Sequence, residues 1–322
     1  MKRPLTYLLI TFSVIFWGIS FILTKELFLT EEHLSVTLLI AMRLALATAV
    51  MLPILALSGK LQPIRRGPGK GLKALLGGDL KWFLLLALCE PFIYHLCETS
   101  GVQLVSGSLA SVIVATIPLF VPFGMWIAYR QPIRLPLAIG VILSLLGVGV
   151  MLSSELGLTP SGVAAAAEEA APQAAGSMFK GLLFLCGAVI IAVVYTLLLV
   201  KVVDRYNPLV ITTWQNLIGF LYFLPLVLAF DGGDIAMLSF SPRMIGLLLV
   251  LGICCSTLAY AGYNYGVRNL GASEACIFNN AIPVFSLLAA VAIGQEQFGW
   301  MKVIGLIVTV AGVVIAQIPS RK

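Results

Sequence analysis

The chain is organised as a series of long apolar runs separated by short polar segments. Each run has about 20 residues, the length that an α-helix needs to cross the roughly 30 Å hydrocarbon core of a bilayer. Ten such runs predict ten membrane-spanning helices, here called spans one to ten. Their approximate limits are 5–24, 35–57, 82–101, 107–129, 135–153, 180–202, 209–230, 244–266, 271–294 and 300–318.

The apolar pattern is repeated inside the chain. Residues 101–150 align without a gap with residues 266–315, at an offset of 165 (266 minus 101). A duplication of this kind in a membrane chain is typical of transporters, in which two halves enclose one site. The matching residues are Gly101-Val102 with Gly266-Val267, Ser108 with Ser273, Ala110 with Ala275, Ile117-Pro118 with Ile282-Pro283, Phe120 with Phe285, Gly140 with Gly305, Ile142 with Ile307 and Gly147-Val148 with Gly312-Val313.

The two halves are predicted to be inverted in the membrane. Five spans separate each residue from its counterpart, and an odd number of crossings reverses the direction of entry. Positive charges agree with this inversion, because Lys and Arg accumulate in cytoplasmic loops. Arg130 follows span four where its counterpart Gln295 follows span nine, and Gln103 corresponds to Arg268. A weaker match pairs Lys25 with Lys201, at an offset of 176 (201 minus 25).

The predicted fold is therefore an all-α membrane protein, with ten transmembrane helices arranged as two inverted five-helix repeats. We predict the first repeat at 1–153, an Ala-rich external linker at 154–179 and the second repeat at 180–322. Composition supports a membrane protein, since 60% of the residues are hydrophobic and 11% are charged, against roughly 25% charged in soluble domains. The mean hydropathy is +1.04.

The net charge of +6 is interpreted as a topology signal and not as a nucleic-acid surface. Basic residues cluster in the loops that share one side with both termini, which predicts cytoplasmic termini in an inner-membrane, multi-pass protein surrounded by lipid. We expect the first apolar run, after Lys2-Arg3, to be a retained helix and not a cleaved signal. We expect the protein to work as a monomer.

Enzymatic, ATP-dependent and metal-dependent functions are not indicated. Gly67-Pro68-Gly69-Lys70-Gly71 lacks the spacing of a nucleotide-binding loop, so no ATP is expected. The only histidines are His33 and His95, and the six cysteines lie in apolar runs without metal-ligand spacing. We therefore predict no catalytic residues, no metal and no cofactor.

Span three carries the strongest candidate site. Glu90, Tyr94 and Glu98 recur every four residues and share one helical face. A carboxylate near the bilayer centre costs at least about 2.5–3.5 kcal/mol, so Glu90 should face a cavity or another helix. It either binds a cationic group or couples transport to protons, or it is a protonated hydrogen-bonding group. Glu98 is expected nearer the outer surface, where water reaches it. His95 is either a proton relay or a packing group.

Further polar residues in the apolar runs are candidates for lining a cavity. Tyr260 and Tyr263 are the counterparts of His95 and Glu98, and they form either a cavity wall or an interfacial aromatic belt. Arg43 requires a partner, either in a structural ion pair or carbonyl contact or in a bound anion. The other candidates for cavity lining or substrate binding are Trp17, Ser20, Trp214, Gln215, Asn264, Asn279 and Asn280.

The chain also resembles the drug/metabolite transporter superfamily, EamA type, over essentially its whole length. The resemblance lies in Trp17-Gly18 with Phe21, Arg43, Ala110–Phe120 with Pro118, Ala275–Phe285 with Pro283, Gly294-Gln295-Glu296, Gly305 and Gly312. It implies ten helices around a central cavity and, for many members, export of amino acids or other small metabolites. One departure is Gln131, where the first half of such proteins often has a glutamate.

The function expected from the sequence is secondary active transport of small organic metabolites by alternating access. Export of amino acids or related compounds is implied by the resemblance. The alternative within transport is a proton-coupled exporter of cationic drugs or polyamines that uses Glu90. The alternative outside transport is a membrane receptor or structural protein that binds a solute without moving it.

Overall fold

A computed structural model describes residues 2–67, 77–130, 135–155, 172–238, 240–297 and 299–316. These residues form helices and connecting turns, and they contain no β-strand. Seven of the helices are long and apolar enough to cross a membrane, and three shorter apolar helices account for the remaining predicted spans. The predicted all-α membrane fold is thus confirmed.

The first half contains five spans. They are span one (Lys2–Thr30), span two (Val36–Leu57), span three (Leu80–Leu104), span four (Gly107–Val114 and Ile117–Tyr129) and span five (Leu135–Glu155).

The second half repeats this order. Its spans are span six (Pro172–Leu199), span seven (Pro208–Phe230), span eight (Pro242–Leu270), span nine (Ala272–Ile277, Phe278–Ala281 and Ile282–Ala292) and span ten (Trp300–Ala316). A short helix, Gly232–Met237, follows span seven. Span six begins inside the segment predicted as a linker, and residues 156–171 of that segment lie outside the described residues.

Polar caps fix where several spans begin. Ser35 accepts a hydrogen bond from the Leu38 amide, and Ser106 accepts one from the Leu109 amide. Such side chains satisfy amides that have no partner in the first helical turn. Ser241 caps span eight in the same way and is followed by a proline. Each of these serines therefore marks the polar boundary at which an apolar helix begins.

The irregular segments of the helices are repeated along with the regular ones. Span three is kinked within Leu88–Ile93, where the Glu90 backbone is extended, and span eight contains a π-helical segment at Val250–Ala259, which includes the positions 165 residues later. Spans four and nine both lose regular α-helical structure immediately before an Ile-Pro pair, at Ile117-Pro118 and Ile282-Pro283. The repeat thus preserves breaks as well as helices.

Spans five and ten pack against each other about the symmetry axis that relates the halves. Ser144 Oγ donates to the Thr309 carbonyl at 2.9 Å, and these two residues are counterparts at the offset of 165. A Cβ added to Gly147 would lie 2.7 Å from the Gly305 carbonyl. A Cβ on Gly312 would lie 2.7 Å from the Gly140 carbonyl, which is the symmetry-related contact. Along these contacts the residue numbers increase on span five as they decrease on span ten. The two helices are therefore antiparallel, as an inverted repeat requires.

The outward surface of the helices is apolar. Large hydrophobic side chains are widely exposed on it, for example Ile127 at 75%, Leu228 at 71% and Ile307 at 60%. An exposed apolar area of this extent is unfavourable in water and suits a surface that faces lipid tails. Polar side chains such as Glu90 and Asn264 are buried inside. The polar groups of the spans therefore face one another in the interior of the protein.

Candidate functional site

A central cavity lies between the two halves. About 60 Å³ of it is open to the centres of water-sized spheres, and a single water needs roughly 10–15 Å³ by this measure. In this conformation the cavity holds a few waters or one small polar group. It is lined by Trp17, Ser20, Phe21, Arg43, Glu90, Tyr94, His95, Glu98, Val114, Ile117, Ala192, Tyr195, Thr196, Tyr260, Tyr263, Asn279 and Ile282.

Glu90 lies where span three is interrupted. Its backbone is extended (φ −144°, ψ 120°) between helical neighbours, and Pro91 follows it. Gln215 of span seven donates its Nε2 to the Glu90 carbonyl oxygen at 3.0 Å, and Tyr260 donates its hydroxyl to the Glu90 carboxylate. The side chain is held by the second half of the protein at a buried position, with Glu90 6% exposed.

The structure corrects the expected position of Glu98. This residue is only 5% exposed and lines the cavity, where it accepts a hydrogen bond from Thr99 Oγ1 at 3.1 Å. The reason is that span three continues to Leu104 and its outer turns are covered by neighbouring spans, above all span six. Two carboxylates therefore line one cavity.

His95 lies between these carboxylates along span three. It is 3% exposed, and neither ring nitrogen has a hydrogen-bond partner among the described residues. Its ring contacts those of Tyr94 and Tyr260, with centroids 5.5 and 6.0 Å away. A buried imidazole without partners is costly, so these nitrogens are available to a ligand or water.

Arg43 brings a positive charge to the same cavity. It is 3% exposed, and its Nε donates to Ser256 Oγ at 3.3 Å. The ion pairs found among the described residues do not include it. The sequence had suggested an ion pair, a carbonyl contact or a bound anion, and the contact seen among the described residues is with a hydroxyl group. Because a guanidinium carries five N–H donors, most of them are not used by Ser256.

An aromatic wall lines another side of the cavity. The Trp17 ring packs edge-on against Tyr260 at 4.9 Å and tilted against Tyr263 at 5.1 Å. Its Nε1 donates to the Cys255 carbonyl at 3.3 Å, which fixes the indole. The Tyr263 hydroxyl lies 3.1 Å from Cys276 Sγ. The two tyrosines therefore face the cavity and not a membrane interface.

A smaller side pocket adjoins the cavity and shares Glu90, His95 and Tyr260 with it. About 10 Å³ of it is open to the centres of water-sized spheres, which is close to the space of one water. It is lined by Glu90, Pro91, His95, Thr212, Gln215, Asn216 and Tyr260.

Four residues expected in the cavity do not line it: Gln215 lines the side pocket instead, and three others lie elsewhere. Trp214 is partly exposed near the start of span seven and donates Nε1 to the Gln62 carbonyl at 3.1 Å. Asn264 is fully buried and bridges neighbouring helices by accepting from Tyr195 and donating to Thr212. Asn280 is 5% exposed but does not line the cavity, and its amide has no partner among the described residues. The rotation of each helix, which polarity alone does not fix, decides these positions.

Tyr195 and Thr196 were not anticipated by the sequence reasoning. Both line the cavity from span six. Thr196 is the counterpart of Ser20 at the offset of 176 (196 minus 20), and Ser20 also lines the cavity. That match between two hydroxyl residues was the signal that could have identified Thr196.

Two ion pairs lie at opposite faces of the bundle and connect its halves. At the face where span one ends, Glu26 pairs with Arg243 at the start of span eight. At the face where span one begins, called the N-terminal face, Arg205 after span six pairs with Asp79 before span three at 2.6 Å. Spans one and six are counterparts, as are spans three and eight. The two pairs therefore occupy symmetry-related places with their charges exchanged.

Each ion pair is supported by neighbouring polar groups. Gln295 donates Nε2 to Glu26 at 2.6 Å, and Tyr206 donates its hydroxyl to Asp79 at 3.0 Å. Burial, above all, raises the pKa of the Tyr206 phenol, so it remains a proton donor at neutral pH. Both faces are thus closed by a carboxylate that accepts from an arginine and from a second side chain.

Comparison with known proteins agrees with this architecture. The sequence model of the EamA-like transporter family matches residues 4–153 and 179–317. The chain belongs to the EamA-like transporter family. It is a membrane transporter and not an enzyme.

Relatives of similar length carry the same general description. A protein of Archaeoglobus fulgidus named as an uncharacterized transporter is 26% identical over 312 residues, covering 96% of this chain and 97% of its own. The uncharacterized transporter YetK of Bacillus subtilis is 25% identical over 257 residues, covering 79% of this chain and 72% of its own. One solved crystal structure matches with a TM-score of 0.64 at 19% identity, over 97% of this chain and 95% of the other. The similarity to this crystal structure shows the fold alone.

Proposed function

We propose that this protein is a secondary active transporter of small organic metabolites, such as amino acids and related compounds, and that it works as an exporter. The observation that carries the proposal is the presence of opposite charges in one buried cavity between inverted halves. Arg43 lines this cavity from span two, and Glu90 and Glu98 line it from span three. Buried charges are expensive and commonly mark substrate or ion pathways in membrane proteins.

This arrangement suits a solute with both an anionic and a cationic group. Arg43 would bind a carboxylate through the donors that Ser256 does not use, since guanidinium and carboxylate match in geometry. Glu98 would accept from an ammonium group. Trp17 and the tyrosines would pack against the apolar part of the solute. Asn279, whose Oδ1 is buried without a partner among the described residues, would accept a further hydrogen bond.

Alternating access would open the two faces in turn. The ion pairs Glu26–Arg243 and Asp79–Arg205 connect the halves at opposite faces. With both pairs formed the cavity is narrow, which corresponds to a closed state between the two open ones. Rocking the halves would separate one pair while keeping the other. We assign the N-terminal face to the cytoplasm, because of the basic residues in its loops.

A second candidate function is proton-coupled export of cationic drugs or polyamines. It is favoured by one observation, the excess of carboxylates over guanidinium groups in the cavity lining. In that case Glu90 would exchange a proton for the cationic solute. A polyamine would have no need for Arg43, so the two candidates differ in their dependence on this residue.

Counterflow in proteoliposomes tests these proposals. Vesicles preloaded with an unlabelled amino acid should take up the same labelled amino acid faster than empty vesicles. Arg43→Gln should remove this stimulation, while Arg268→Gln, a matched change at an exposed position outside the cavity, should retain it. Stimulation by polyamines alone, unaffected by Arg43→Gln, would establish the second candidate. Saturable binding without flux would make the protein a receptor.

A further inference from the structure

We propose that the side pocket beside Glu90 is a binding site for one sodium ion. The polar residues that line this pocket are Glu90, His95, Thr212, Gln215, Asn216 and Tyr260, and all of them except His95 carry side-chain oxygens. The hydroxyl donors are already directed elsewhere, since Thr212 donates to the Pro208 carbonyl and Tyr260 donates to Glu90.

The Gln215 amide is oriented so that its side-chain oxygen remains available. Gln215 donates Nε2 to the Glu90 carbonyl, which leaves its Oε1 buried and without a donor among the described residues. Gln215 is 4% exposed. Asn216 likewise donates Nδ2 to the Ser256 carbonyl at 3.1 Å. A buried acceptor without a donor costs about 1–3 kcal/mol unless a ligand satisfies it. A cation would satisfy several of these oxygens together.

The charges of the lining also call for a cation. The cavity and side pocket together contain two carboxylates, Glu90 and Glu98, and one guanidinium, Arg43, which leaves one negative charge in excess when all are ionised (two minus one). A zwitterionic solute adds no net charge and leaves this excess in place. One monovalent cation would neutralise it.

The size of the side pocket and the ligand atoms it offers favour sodium. The open space is about 10 Å³, enough for one water-sized particle. Among the described residues there is no cluster of three His, Cys, Asp or Glu side chains, whereas transition metals and Ca²⁺ favour several such ligands. Transporters commonly place coupling-ion sites beside interrupted helices, and Glu90 lies at such an interruption.

The site would also connect the two halves. Glu90 belongs to span three, whereas Thr212, Gln215 and Asn216 belong to span seven, and Tyr260 belongs to span eight. A bound ion would hold these groups together and stabilise the closed arrangement. This binding site does not depend on which solute the protein carries, so its failure would leave the proposed function untouched.

Thermal unfolding of the purified protein in detergent provides the test, in equal concentrations of sodium, potassium or choline chloride. Sodium should raise the melting temperature by about 3 °C or more relative to choline. Potassium should have less than half of that effect, because its larger radius fits the pocket poorly. Equal melting temperatures in sodium and choline, or in sodium and potassium, would overturn the assignment.

Two matched variants locate the effect. Glu90→Gln keeps the size of the side chain but removes its charge, and it should abolish the sodium-dependent shift. Glu98→Gln makes the same change two turns away, in the cavity but outside the side pocket, and it should retain the shift. A shift that survives in Glu90→Gln would refute the site. If Glu90→Gln does not fold, Asn216→Leu replaces it, with the same loss expected.

Discussion

Spans three and eight are counterparts that share a frame but differ in chemistry. Both depart from regular α-helix at matching positions, and both contribute to the central cavity. Span three brings Glu90 and Glu98 to the site, whereas their counterparts 165 residues later are Cys255 and Tyr263. The scaffold is symmetric, and of these two helices only span three brings charged groups to the cavity.

Under the proposed mechanism of alternating access, the difference reflects two separate demands on the protein. Opening to either face in turn requires two halves that can exchange conformations, and this demand preserves helices, breaks and close helix contacts. Recognition of an asymmetric solute needs different groups on its different sides. Leu52-Pro53 in span two matches Leu224-Pro225 in span seven at an offset of 172 (224 minus 52). Arg43 thus has no charged equivalent in span seven, where Gln215 (43 plus 172) occupies the matching position. The repeat is retained where it serves movement and lost where it serves binding.

The sharpest test of this comparison replaces the side chain at each of two counterpart positions, one variant at a time. We expect Glu90→Gln to reduce net solute accumulation in proteoliposomes about 10- to 100-fold, the loss typical of a hydrogen-bonded buried charge. Solute exchange should survive, because exchange requires no net movement of a coupling ion. Accumulation and exchange are measured in the same vesicles.

The control for this variant lies at the counterpart position. Cys255 is fully buried and donates Sγ to the Phe16 carbonyl at 3.3 Å. Cys255→Ser keeps a donor there and should leave accumulation unchanged. Equal losses from both variants would mean that the halves contribute equally to coupling, contrary to the comparison.

Most of the fold could be predicted from the sequence, since length and hydropathy determine spans and the offset of 165 identifies the repeat. The interruption of span three was also visible, because Pro91 cannot donate a backbone hydrogen bond. The π-helical segment of span eight was not, as Val250–Ala259 contains no proline. Only the alignment with span three could have suggested this irregularity.

The site was predicted less completely, for a reason that applies to membrane helices in general. A polar residue in an apolar span must face the interior of the protein. The interior, however, contains both the cavity and the contacts between helices. Glu90, Glu98 and Arg43 reach the cavity, whereas Asn264 satisfies its amide between helices. Thr196 was overlooked because a hydroxyl can bond to its own helix, as this one does to the Ala192 carbonyl.

The symmetric side of the comparison can be tested at the contact between spans five and ten. A Cβ on Gly147 would lie 2.5 Å from the Thr309 amide nitrogen, and one on Gly312 would lie 2.5 Å from the Ser144 amide nitrogen. A backbone atom at that distance cannot move away without displacing the helix to which it belongs. Gly147→Ala and Gly312→Ala should each lower the free energy of unfolding by about 1–3 kcal/mol, which thermal or detergent-induced unfolding would measure.

Gly149 on the same helix provides the control for these substitutions, because a Cβ there meets no atom within 4 Å. Gly149→Ala should change the free energy of unfolding by less than about 0.5 kcal/mol or raise it slightly. The two contact glycines should have similar effects because their surroundings are related by symmetry. A large loss for one and none for the other would contradict the symmetric packing.

The smallest expected effects concern the two ion pairs at the opposite faces. The arginines are partly exposed, with 47% of the Arg205 side chain and 67% of the Arg243 side chain accessible. Such pairs contribute about 0.2–1 kcal/mol, so neutralising one should shift the balance between open states about fivefold at most. Glu26→Gln should favour opening where span one ends, and Asp79→Asn should favour opening at the N-terminal face.

A cysteine at Ala192, a small residue that lines the cavity, can report these shifts in a variant whose native cysteines are replaced. A thiol reagent that does not cross membranes, added to one side at a time, should label it faster from a different side in each variant. Added salt should reduce both effects, because exposed charges are screened. If both variants increased labelling from the same side, the pairs would not be alternating closures, since symmetry-related contacts must act on opposite faces.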